Sequence, residues 1–274
     1  MTAPVFDVDY IEQKRQTGII GRNVVLFQST RSTNDIAWEY ASNPDNHGLC
    51  VLAEAQTAGR GRRGRTWFSE PGQSVLCSIL LTKTDMEAER LTLAAAVAAA
   101  EAIQRCCDLS CRIKWPNDIL IRDRKVAGIL VEKRDKKKTP CFVIGIGINC
   151  NQDRETLKQY PLNLPASSLA VETSHPVDRT ALLCELLKQF DRWIESANQK
   201  LSPCEGGVPR RGEGVIDRWL QLSGMLGRHV TVECDGRQYR GFCRGIDPSQ
   251  GLILHLDNSL VRIFSAAHTS IVQS

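Results

Sequence analysis

Gln56-Thr57-Ala58-Gly59-Arg60-Gly61-Arg62-Arg63-Gly64-Arg65-Thr66-Trp67 is the stretch on which the reading of the fold turns. Residues 59–64 satisfy G-x-G-x-x-G, the literal pattern of a dinucleotide-binding turn. Such a turn must end a strand and open a helix at once, so that the helix N-terminus receives the pyrophosphate. Here the chain continues through Phe68-Ser69-Glu70-Pro71-Gly72 into another apolar, strand-like run at 73–81. A Rossmann sheet is excluded, and the stretch reads as a loop between two strands. Its glycines allow a close backbone approach to a ligand. Arg60, Arg62, Arg63 and Arg65 carry planar forks that match carboxylate and phosphate oxygens. On these residues alone, a solvated or RNA-gripping basic loop weighs about as much as an anion-binding one.

Working outward, residues 23–27 and 49–55 read as strands. Between them Ser32 and Asp35 mark a capped helix start, with Ile36, Ala37, Tyr40 and Ala41 on one face. Thr84-x-x-Glu87 is expected to cap an Ala-rich helix ending near Cys107. Strands are expected at 111–114, 118–122, 125–133 and 141–148, and the charged run 132–138 at a solvated hairpin tip. Residues 151–174 lack periodicity and read as a loop-rich crossover. Asp178 opens a helix whose Leu182, Leu183, Leu186, Leu187, Phe190, Trp193 and Ile194 share a face, followed by a breaker-rich hinge at 202–214 and a short helix at 215–222. Brief strands at 230–233, 238–246, 251–256 and 259–264, separated by Asp-Gly, Asp-Pro and Asp-Asn turns, predict a small β-barrel appendage.

The chain has 274 residues, enough for one large domain and a small one, expected at 1–224 and 225–274. A hydrophobic content of 42% supports a real core, and a net charge of +4 is too small for a nucleic-acid coat or a membrane-surface protein. The N-terminus lacks the apolar segment of a signal peptide, and the apolar stretch 91–103 is too short to span a bilayer. Eleven cysteines without a C-x-x-C pair read as reduced thiols in a cytoplasm.

Two further segments carry chemistry. Lys114-Trp115-Pro116-Asn117-Asp118 puts a cation, a ring, an amide and a carboxylate in one turn, and Lys125-x-x-Gly128 adds a second lysine. Taken singly, each lysine is more often a surface charge and Trp115 a packing residue. Gly145-Ile146-Gly147-Ile148-Asn149 places two glycines inside a strand, a weakness unless something must approach its backbone. No nucleophile–base signature such as Ser-His-Asp stands out.

In this order the motifs Ser32-Thr33-Asn34, residues 56–67, Lys114-Trp115-Pro116-Asn117-Asp118, Lys125-x-x-Gly128-Ile129-Leu130-Val131-Glu132 and Gly145-Ile146-Gly147-Ile148-Asn149 resemble the biotin protein ligase family. The resemblance implies an α+β fold: a mixed β-sheet with flanking helices, class II synthetase-like, plus a small C-terminal SH3-like barrel. It implies activation of biotin by ATP to biotinyl-5′-AMP, then transfer to a lysine of a biotin carboxyl carrier protein. Ser32, Thr33, Asn34, Gln56, Gly59, Arg60, Arg62, Lys125 and Gly128 would bind biotin. Arg62, Trp67, Lys114, Asn117, Asp118, Lys125 and Asn149 would bind the nucleotide, and Lys125, Arg62 and Lys114 would carry catalysis. Mg2+ would accompany ATP, its ligands unassigned, and no prosthetic group is implied. The expected partner is the carrier domain of a biotin-dependent carboxylase, with no DNA or membrane and a monomer or homodimer as the assembly. Only about 20 residues precede the first strand, so the DNA-reading winged helix of some members is not expected. Residues 152–168 contain no tryptophan, so an aromatic lid is not expected from them. A lipoate or octanoate ligase and a nucleic-acid-binding module are the alternatives.

Overall fold

Seven strands form the sheet on which everything else is mounted. The computed structural model describes residues 5–14, 16–135, 140–160, 165–198, 214–247 and 249–273. Across the sheet the strands run β1 (Val24–Phe27), β2 (Cys50–Ala53), β3 (Ser74–Leu81), β7 (Cys141–Asn149), β6 (Arg124–Arg134), β5 (Asp118–Ile121) and β4 (Arg112–Lys114). β1 and β2 are parallel, and α2 (Thr33–Tyr40) supplies the crossover that a parallel pair requires. Every other neighbouring pair is antiparallel, so the sheet is mixed, as the family resemblance implied.

Alternation along the strands sorts the two faces. Cys50, Leu52, Val75, Cys77, Ile79 and Leu81 belong to the main core with α3 (Ala88–Cys107) and α6 (Arg179–Asn198). Val51, Leu80 and Val143 pack with Ala37, Trp38 and Ala41 of α2 on the other face. The small side chains of Ala94, Ala95, Ala96, Ala98, Ala99 and Ala100 are fully buried, which lets α6 and the sheet press closely on α3. One ion pair lies inside: Arg179 Nη1 donates to Glu54 Oε2 at 2.8 Å and to the Ser74 carbonyl at 3.1 Å. Glu54 Oε1 accepts from the Phe6 amide at 2.8 Å, tying the N-terminal segment to the core.

Several expectations need correction. Thr84 does not cap α3, because the N-cap position is Glu87 and a side chain three residues earlier cannot reach the first helical amides; it accepts from the Met86 amide instead. The crossover contains α4 (Arg154–Gln159) and α5 (Leu169–Thr173), capped by the Asp153 and Ser168 side chains. Helices of six and five residues are too short for periodicity to reveal them. Glu132 is not at a solvated tip but lies within β6, while residues 136–138 of that run, like 202–213 of the expected hinge, lie outside the described residues.

After α7 (Val215–Ser223), whose Trp219 is fully buried, Gly224 turns the chain at φ 57°. The second sheet has the order β11 (Val261–Phe264), β10 (Gly251–Leu256), β9 (Arg237–Asp247), β8 (His229–Cys234), β12 (Thr269–Gln273), antiparallel throughout. Among the described residues β11 and β12 each pair with a single neighbour, so no closure into the expected barrel is seen. The connection between β11 and β12 meets the arginine loop, where Arg62 donates to the Ala266 carbonyl. β12 was not anticipated from the sequence. Val230, Val232, Cys243, Leu252 and Leu254 join the same apolar cluster as Trp219 and α3, so one core runs through both sheets.

Candidate active site

A cavity of about 610 Å3 opens on the α2 side of the first sheet. Its floor follows from register. Gly147 pairs with Leu76 on one side and Gly128 on the other, and Gly128 pairs with Asp118. One row along, Gly145 pairs with Ser78 and Leu130. The Trp67 ring lies in the groove these glycines clear. A Cβ at Gly147 would come within 2.5 Å of Trp67 Cε2, and one at Gly128 within 3.0 Å of Cζ3. A Cβ at Gly145 would collide with Asn34 Oδ1.

At the inner end, small polar groups of α2 and its preceding turn converge. The Thr33 amide donates to Gln56 Oε1 at 2.7 Å, and Ser78 Oγ lies 2.7 Å from Thr33 Oγ1 and 2.6 Å from Asn34 Oδ1. Ser32 has the extended N-cap backbone, yet its side chain makes no capping bond. Among the described residues, Asn34 Nδ2 and Trp67 Nε1 are buried donors without a protein partner. Buried donors of this kind are satisfied by water or by ligand.

At the outer end the lining turns cationic. Lys125 Nζ lies 2.6 Å from Asp118 Oδ1 and 5.5 Å from the centre of the Trp67 ring. The crossover holds the Lys125 backbone on both sides: its amide donates to the Pro165 carbonyl at 2.8 Å, and its carbonyl accepts from the Ser167 amide at 2.9 Å. Ser167 is fixed in turn by Asn149 Nδ2 on its carbonyl and by buried Glu172, which also takes two bonds from Arg124. Arg62 donates to Asn117 Oδ1 at 3.2 Å and to the Ala266 carbonyl, and Arg63 reaches Ser270 Oγ at 3.4 Å, so the second sheet borders the arginine loop. Burial pushes the Arg62 guanidinium below its ordinary value, and Arg63 adds to this. Burial likewise lowers the Lys114 ammonium, with Asp118 opposing and Arg112, Lys125 and Arg65 reinforcing. The Lys114 ammonium makes no hydrogen bond or ion pair among the described residues. Phe68 and Tyr160 stack at the rim, centroids 4.9 Å apart and planes 10° apart. An aromatic from the crossover is thus present after all, as a tyrosine instead of the tryptophan considered.

All the residues assigned from sequence line this one cavity except Gly59. Gly59 acts behind it, where its carbonyl accepts from the Trp67 amide at 2.9 Å and any Cβ would meet the Trp67 carbonyl. Arg60 lines the cavity, but its guanidinium is already engaged by Asp35 and Glu132. The sequence reading missed Ser78, Phe68, Tyr160 and the β12 residues Thr269 and Ser270. Among the described residues no three or more His, Cys, Asp or Glu side chains group as a metal site, and no helix is long and apolar enough to cross a membrane.

A slot lined with amide and hydroxyl groups at one end, apolar in the middle and cationic at the other suits a small carboxylic acid beside a phosphate-bearing co-substrate. Comparison with known proteins gives that class its family. The model described as the biotin/lipoate A/B protein ligase family matches residues 26–149. A biotin–[acetyl-CoA-carboxylase] ligase of Paracoccus denitrificans is 34% identical over 84% of this chain and 92% of its own. The bifunctional ligase/repressor BirA of Bacillus subtilis is 30% identical over 92% of this chain and 75% of its own. Among solved structures, the biotin protein ligase from Aquifex aeolicus in complex with biotin and ATP superposes with a TM-score of 0.72, at 22% identity, over 92% of this chain and all of that one. The chain belongs to the biotin/lipoate A/B protein ligase family.

Proposed function

We propose that this chain is an ATP-dependent biotin protein ligase that modifies a lysine of a biotin carboxyl carrier protein. The observation that carries this reading is the polarity of the slot. Arg62, Arg63, Arg65, Lys114 and Lys125 line it against two carboxylates among the described residues, Asp118 and Glu233, while the charge of Arg60 is met by Asp35 and Glu132. From Leu130 to Lys125 along β6 the lining passes from amide-rich to cationic over roughly 16 Å of strand. Biotin's ureido end fits against Ser32, Thr33, Asn34 and Gln56, and its rings against the Trp67 ring, which Gly128 and Gly147 seat. Its carboxylate then reaches Lys125 and Arg62. ATP lies across the outer end, with Lys114 on its phosphates and its base toward Asn149 and the Phe68–Tyr160 stack. Asn117 aligns Arg62, and Gly59 seats Trp67.

The chemistry needs no protein nucleophile. A biotin carboxylate oxygen bonds to the α-phosphorus and pyrophosphate leaves. A carrier lysine amine then bonds to the acyl carbon, AMP departs with the carboxyl oxygen, and the amine loses a proton. Both steps bring anions together, so fixed cations lower the barrier. Mg2+ bound to ATP would screen its phosphates. Asp118 is one of the two lining carboxylates that could offer such an ion an oxygen, with phosphate and water oxygens completing its shell. The second sheet, from residue 225, serves as a smaller domain that closes the phosphate end.

Intact-mass measurement of a biotin carboxyl carrier domain incubated with the protein, ATP and Mg2+ tests the reading, with biotin and lipoate in parallel. Addition of biotin alone is expected. Addition of lipoate alone would keep the fold and overturn the substrate, and no addition would leave a binding role.

The position of Lys114 adds a pH dependence. Its charged form attracts ATP, and its depressed pKa means that this charge is lost at lower pH than for an ordinary lysine. ATP affinity, measured by calorimetry from about pH 7 to about pH 10, is expected to fall early on the alkaline side. Lys114→Arg should push that fall to higher pH, and an unchanged profile would remove Lys114 from the phosphate site.

A further inference from the structure

We infer that Glu132 is a positioning residue for this reaction: acting through Arg60, it holds the arginine loop closed over the slot. Arg60 Nη1 donates to Asp35 Oδ2 at 2.8 Å, and Nη2 lies 3.2 and 3.4 Å from the two oxygens of Glu132. Glu132 is fixed from its other side by Trp38 Nε1, which donates to Oε2 at 2.9 Å. Trp38 is buried on α2, and the Arg134 guanidinium stacks 4.3 Å from its ring centre. A single carboxylate therefore joins the helix that begins with Thr33 and Asn34, the strand that carries Lys125 and Gly128, and the loop that carries Arg62.

The loop transmits this restraint. The Gly61 amide donates to the Arg65 carbonyl at 2.7 Å, the Trp67 amide donates to Gly59, and Arg60 bridges Thr66, which makes residues 59–67 a small hairpin. Arg60 sits in its paired part and Arg62 at its tip. Fixing the first aims the second. Repulsion among Arg62, Arg63 and Arg65 favours opening, and the two carboxylates on Arg60 oppose it. Because they leave a net negative charge around Arg60, the ligand's anions fall to Arg62, Arg63 and the lysines.

The kinetic arm of the test rests on the ligase reading, whereas the exchange arm does not. Glu132→Gln keeps an oxygen for Trp38 Nε1 and removes the charge facing Arg60. In the ligand-free full chain, amides of residues 59–66 are expected to exchange with solvent about fivefold faster, as loss of a partly exposed ion pair permits. KM for biotin should rise by a similar factor with kcat held within about twofold, since bound ligand closes the loop itself. A purely structural role would speed exchange along β6 to the same degree. Trp38→Phe, which removes only the orienting hydrogen bond, should shift the loop amides in the same direction by less, and it carries the test if Glu132→Gln folds poorly. Unchanged loop exchange in both variants would overturn the inference, as would a fall in kcat at constant KM. Faster loop exchange without any biotin transfer would leave the brace standing and remove the ligase reading.

Discussion

Lys125→Met is expected to slow biotin transfer to the carrier by about 10²- to 10³-fold, the effect of removing one preorganised charge from a developing anion. The lysine has no freedom to be elsewhere. Its backbone is paired to the Pro165–Ser167 segment, its ammonium lies 2.6 Å from Asp118, and its stem passes Trp67. Methionine preserves the stem and the packing on the ring while deleting the charge, so unfolding should be little changed. Asp118 then loses its counter-ion and stands as an uncompensated negative charge where a carboxylate and a phosphate must meet. That repulsion adds to the loss. Intact-mass time courses at saturating biotin and ATP measure the effect, and a rate within fivefold of the unsubstituted protein would take Lys125 out of the chemistry.

The second large effect concerns folding. Arg179→Met leaves Glu54 ionised beside Phe6 with no cation, and both partners are nearly solvent-free, with side-chain exposures of 3% for Arg179 and 6% for Glu54. Breaking a buried pair from one side costs about 3–5 kcal/mol, because the remaining charge keeps its desolvation penalty. Removing both charges costs far less. Urea unfolding should therefore show Arg179→Met well below the unsubstituted chain, and Glu54→Gln with Arg179→Met recovering much of the difference. Glutamine still offers an oxygen to the Phe6 amide. Equal losses in the single and double variants would show that Arg179 matters through packing rather than charge.

How far the sequence reached depended on the range of the contacts. The loop reading of 56–67 rested on the strand that succeeds the glycines along the chain, a local matter, and it led to the right sheet. The site residues clustered because the motifs that carry the family resemblance converge on one sheet face. Some also bore a chemical oddity of their own (glycines in a strand, arginines in a loop, a lysine beside a tryptophan), whereas Ser32, Thr33, Asn34 and Gln56 were assigned through the resemblance alone. Glu132 had no such mark. Its neighbours in sequence are charged, so it read as the start of a solvated tip, and only pairing across the sheet and against α2 shows that it faces Arg60 and Trp38. Tyr160 escaped because the helix that ends just before it is six residues long. β12 escaped because Thr269-Ser270-Ile271-Val272 has only a brief alternation at the end of the chain.

Gly128 and Gly147 stand opposite each other in neighbouring antiparallel strands, and each is flanked on both sides by a larger apolar residue. A slip of one residue in that pairing would exchange the faces of one strand and push Ala127 or Ile129, or Ile146 or Ile148, into the space Trp67 occupies. The misaligned sheet could not seat the tryptophan, and the hairpin of arginines would lose its contact with the slot floor. The slot thus proofreads the strand alignment: a chain that has folded out of step has no binding site, and a chain that holds its ligand reports by doing so that its central strands are in register.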